Sequence, residues 1–126
     1  MRNRSRLAVL GCGTFLLAAS TLNGSEPLRM RVSPEMTLAP GLVTVRASVE
    51  ADSQNRFLEV VAESEDFYRS SQIQLNGKDA PVLNVLEFRN LPTGMYHITG
   101  VLVGEHGPRA TVLKLAKVAP SVGSLR

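Results

Sequence analysis

The side chains that could do chemistry are few, and their spacing groups them poorly. His97 and His106 are the two histidines. A zinc site needs three or four ligands at recurrent spacing, and here no His-x-x-x-His pair and no cysteine pair accompanies them. His97 follows Tyr96 in an alternating run, so parity turns it outward, and His106 falls in a turn; both read as surface histidines. Glu59, Glu63, Glu65 and Asp66 form an acidic cluster that could draw calcium, which binds through several carboxylate and carbonyl oxygens. The cluster lacks EF-hand spacing, so it reads as a solvated strand face whose glutamates pair across the sheet with Arg46 or Arg69. No Gly-x-Ser-x-Gly elbow and no glycine-rich phosphate loop is present, and no α/β framework is there to carry one. These residues predict no catalytic group, no metal and no cofactor, hence a non-enzyme.

Two sets remain as candidate binding residues. Phe67 and Tyr68 are adjacent aromatics at the start of a strand, a possible platform for a sugar ring or other small ligand in a chain with no tryptophan. Phe57, Val61, Met95, Val101 and Val103 have the parity opposite to the core on neighbouring strands. If contiguous, they make an apolar face larger than a soluble monomer usually exposes.

The elements that must hold these residues are strands. Residues 28–32 alternate with period two and stop at Ser33-Pro34. Val43, Val45, Ala47 and Val49 alternate with Thr44, Arg46, Ser48 and Glu50, which a helix would scatter around its circumference. Residues 56–64, 67–75, 82–89, 96–104 and 110–118 continue the pattern, separated by turn signals such as Asn76-Gly77 and Glu105-His106-Gly107-Pro108. The spacing predicts seven antiparallel strands in an all-β sandwich. Its expected core is Val43, Val45, Val49, Leu58, Val60, Ile73, Leu86, Phe88, Tyr96, Ile98 and Leu102.

The corner between the fifth and sixth of the longer strands is the most specific stretch. Phe88 ends a strand, Leu91-Pro92-Thr93-Gly94 turns the chain, and Tyr96 enters the next. Pro92 fixes its own φ, Gly94 offers a residue tolerant of positive φ, and the Tyr96 hydroxyl is placed to bond nearby backbone. This corner resembles that of immunoglobulin-like and fibronectin-III-like domains, and of carboxypeptidase-regulatory, transthyretin-like sandwiches. The resemblance implies an exported binding or spacer module and leaves the sheet topology open between these families. The chain departs from antibody-type domains in having no cysteine pair and no core tryptophan.

The amino terminus, with Arg2, Arg4 and Arg6 ahead of the mostly apolar residues 7–19, reads as a signal peptide. The expected division is a signal peptide at 1–20, a linker at 21–27, the sandwich at 28–118 and a flexible tail at 119–126. Removing the leader takes three of the fourteen basic residues and none of the eleven acidic ones, leaving a nearly neutral domain. Total charge therefore supports no nucleic-acid partner, and a membrane is expected only if Cys12 is lipidated or the leader stays uncleaved. Cys12 is the single cysteine and Val9-Leu10-Gly11-Cys12 resembles a lipobox, a minority alternative to a secreted or periplasmic product. The functional expectation is a non-catalytic exported module in protein-protein interaction or envelope structure with an unidentified protein partner. A small-ligand or carbohydrate-binding accessory domain is the alternative.

Overall fold

The computed structural model describes residues 26–121. The expected signal peptide, the Cys12 motif, most of the linker and residues 122–126 of the tail lie outside the described residues. Eight strands fill the described chain: β1 (Leu28–Ser33), β2 (Met36–Leu38), β3 (Gly41–Val49), β4 (Asn55–Glu63), β5 (Tyr68–Gln74), β6 (Leu83–Leu91), β7 (Gly94–Gly104) and β8 (Gly107–Ala119). They form a three-stranded sheet in the order β1-β3-β6 and a five-stranded sheet in the order β2-β8-β7-β4-β5. Every second residue of β3 is buried, as strand geometry requires when one face meets a core.

The protein is all-β, but the antiparallel seven-strand immunoglobulin-like arrangement expected from sequence is corrected in two ways. There is an eighth strand, β2, and it runs parallel to β8, pairing Met36 with Lys117 and Leu38 with Ala119. The chain leaves the smaller sheet after β1, joins the larger one as β2 and returns at Gly41 to begin β3. Pro34 and Pro40 stand at the two crossings, where a residue without an N–H costs no ladder bond. Three residues are too few for alternation to show in sequence, so this segment reads there only as a break.

Both sheets contribute to the core. Val43, Val45, Leu58, Val60, Tyr96, Ile98 and Leu102 are fully buried, whereas Ile73 is only partly so. Each large apolar side chain removed from water contributes about 1.5–3 kcal/mol before the entropy of ordering. The whole inner face of β1, Leu28, Met30 and Val32, is also buried. Gly100 on β7 admits it, because a Cβ there would run into the Met30 sulfur.

At the corner, Pro92 and Thr93 carry the chain from β6 in one sheet to β7 in the other. The Tyr96 hydroxyl donates to the Pro92 carbonyl at 2.6 Å, and Phe67 packs edge-on against its ring, centroids 6.1 Å apart. The left-handed residue is Asn90, with φ of 59°, and not Gly94. Gly94 is small for another reason: a Cβ there would stand 3.1 Å from the Ser64 Cβ.

Candidate anion-binding site

Strand parity on the smaller sheet concentrates positive charge. On β1 the buried residues Leu28, Met30 and Val32 force Arg29 and Arg31 outward, and on β3 the buried Val45 and Ala47 force Arg46 outward. Register then sets Arg31 directly opposite Arg46 and Arg29 opposite Ser48, one row away. Like charges facing each other across a ladder are destabilising. The three guanidinium groups and Ser48 line a shallow cleft of about 400 Å³ with Leu83 at its edge.

Among the described residues no carboxylate forms an ion pair with this group; the ion pairs there are Arg56–Glu105, Arg89–Glu87 and Arg109–Asp52. Glu87 lies diagonal to Arg46 across the β3–β6 ladder, but Arg89 holds it at 2.5 Å. At the rim, Glu35 shares a neighbouring cleft with Arg31, and Glu26 and Glu50 share another with Arg29. A guanidinium presents planar paired donors that fit carboxylate, phosphate or a similar oxyanion.

The larger cleft, about 730 Å³ between β1 and β8, brings Arg31, Lys114 and His97 together with Glu35. Its mixed charge makes it the weaker candidate despite its size. Lys114 sits between Val112 and Ala116 at an inward-facing position of β8, yet it is exposed at the seam.

The structure places one sequence-predicted set on a single face, interrupted by Glu59, Thr99 and His97, and separates the other. Phe57 pairs directly with Val103, and with Val61, Val101 and Met95 they occupy the outer face of the five-stranded sheet. Met95 is well exposed and the other four are partly so. Phe67 turns inward onto Tyr96, with Arg69 over its ring at 5.0 Å, while Tyr68 stands 62% exposed; the two rings share no platform. The expected glutamate pairing does not form: Arg46 lies on the other sheet, and Arg69 donates to the Arg89 carbonyl at 2.6 Å.

At the opposite end of the larger sheet, Arg109 donates to the Asn55 side-chain oxygen at 2.6 Å and to Asp52 at 3.1 Å. The Asn55 amide in turn donates to the Glu50 carbonyl. Every partner is used within the network, so it pins the β3–β4 loop to β8. Burial pushes the Tyr96 phenol above its ordinary value, partly offset by Ser64 and by the Arg69 charge.

The architecture is all-β, and its fold is similar to that of superoxide reductase structures. The superoxide reductase (neelaredoxin) from Ignicoccus hospitalis superposes with a TM-score of 0.59 at 15% identity, over 74% of this chain and 80% of that one. Two variants of the same enzyme give 0.55 at 17% identity, over 72% and 78%, and 0.54 at 12%, over 75% and 79%. No protein-family model matches the sequence, and no curated protein matches it. At these identities the likeness is one of fold.

This comparison corrects four sequence expectations together. The immunoglobulin-like and fibronectin-III-like resemblance gives way to the superoxide reductase fold, because a proline-glycine-tyrosine corner joins strands in many sandwiches and does not tell them apart. The expected non-enzyme falls too. It rested on the absence of an α/β framework, and the similar solved structures are reductases with an all-β fold, so that absence does not carry the conclusion. The non-catalytic interaction module and the carbohydrate-binding alternative, both inferred from that reasoning and from fold analogy, fall with it.

One-electron chemistry on superoxide calls for a redox centre, and a protein-bound metal needs several His, Cys or carboxylate ligands converging. Among the described residues no three such side chains approach closely enough to hold a metal ion. His97 and His106 lie towards opposite ends of β7. The described residues therefore do not fit a metal centre, and no redox step is derived for them.

Proposed function

We propose that this chain is an anion-handling domain built on the superoxide reductase fold, and that its site is the Arg29, Arg31 and Arg46 cleft. The observation that carries the reading is the cross-strand apposition of Arg31 and Arg46, with Arg29 and Ser48 beside them lining one cleft. A fold spends stability on such an arrangement when an anion repays it. Isothermal titration with inorganic phosphate at low ionic strength tests this. Saturable binding that is lost in Arg46→Glu is expected; binding unchanged in that variant would sink the proposal.

A further inference from the structure

The outer face of the smaller sheet carries more than arginines. Along the ladders the rows read Arg29–Ser48–Leu83 and Arg31–Arg46–Val85, so cations occupy β1 and β3 while aliphatic residues occupy β6. Leu83 and Val85 are 53% and 51% exposed, and Val82, which leads into β6, is 59% exposed. Adjacent strands lie about 4.8 Å apart, so the charged and the aliphatic side chains stand side by side on an open sheet face.

Resting on the anion reading above, we infer that the anion is the headgroup of an acidic phospholipid, and that this face docks on an anionic bilayer. A soluble oxyanion would engage the arginines and leave Val82, Leu83 and Val85 in water. A bilayer surface offers phosphates to the guanidinium groups and an interfacial apolar layer to the aliphatic residues. Its extent matches an open sheet face, whereas an enclosed pocket would match a single small ligand. The carboxylates stand aside from the cleft itself: Glu59 and Glu63 lie on β4 in the other sheet, Glu87 is held by Arg89, and Glu26, Glu35 and Glu50 lie in neighbouring clefts at the rim.

The test compares sedimentation of the full chain with vesicles of phosphatidylcholine alone and with an equal mixture of phosphatidylcholine and phosphatidylglycerol. Residues 1–25 are common to all variants, so differences between variants report on the sheet face. Mixed vesicles should bind more strongly than neutral ones. Arg46→Glu and Arg31→Gln should each weaken binding by about fivefold or more, the equivalent of about 1 kcal/mol per basic residue. Leu83→Ser with Val85→Ser should weaken vesicle binding while leaving phosphate binding intact. Vesicle binding indifferent to both sets of substitutions overturns the inference. Phosphate binding lost in Arg46→Glu without preference for anionic vesicles overturns the bilayer and leaves the anion site standing. Neither phosphate nor vesicle binding overturns both.

Discussion

Tyr96 carries its phenol into a fully buried position whose outlet is the Pro92 carbonyl. Tyr96→Phe leaves that carbonyl short of a donor, so chemical denaturation should show a loss of about 1–2 kcal/mol. The pH dependence follows from the same burial. In the unfolded chain the phenol ionises near 10.0, whereas in the folded chain its pKa is raised. The folded state thus holds this proton more tightly, and the stabilisation is complete below about pH 10 and falls as pH rises beyond it. Denaturation midpoints between pH 8 and 11 should drop for wild type and drop less for Tyr96→Phe; parallel profiles would remove Tyr96 as the cause. A tyrosine two residues past a Pro-x-Gly turn is legible in sequence because all its determinants are local. The Arg109–Asn55–Asp52 network was not, since Arg109 and Asn55 stand 54 residues apart and nothing local marks them as partners. Nor was Asn90, whose left-handed backbone falls where the β3–β6 ladder shifts register.

Between elements, register decides which side chains meet. The alternation in β3 was readable because buried valines recur over a long strand, whereas β2 was hidden by its three-residue length. Pairing of β1 with β3 was not legible either, because period two fixes which face a residue takes and not which strand lies beside it. The arginine apposition depends on that pairing. Arg46→Glu converts a like-charge facing pair into an opposite-charge one with Arg31, and should raise stability by about 0.2–1 kcal/mol. The same change should abolish phosphate binding, and this opposition of stability and binding is what a site, as distinct from a solvated strand face, would show in denaturation and titration together. Gly100 illustrates the packing counterpart. Gly100→Ala forces the Met30 side chain aside in a filled core, with an expected cost of about 1–3 kcal/mol in the unfolding free energy.

For the whole molecule, charge placement matters more than charge total. The expected mature chain is close to neutral by count, and from that sum no cationic surface was visible. Folding gathers what the sum cancels, because β1 and β3 place Arg29, Arg31 and Arg46 in one cleft, with Glu26, Glu35 and Glu50 in neighbouring clefts at its rim. In the unfolded chain Arg46 is far along the sequence from the β1 arginines, so a bound anion stabilises only the folded state. Phosphate should therefore raise the melting midpoint of wild type as RT ln(1 + [L]/Kd), approaching about 2.7 kcal/mol at a hundredfold excess over Kd. Chloride at matched ionic strength screens the arginine repulsion without a specific site, and should shift the midpoint less. In Arg46→Glu the phosphate and chloride curves should coincide. If phosphate stabilised that variant as much as wild type, its effect would be general exclusion from the protein surface, and the arginine cleft would lose its claim to the ligand.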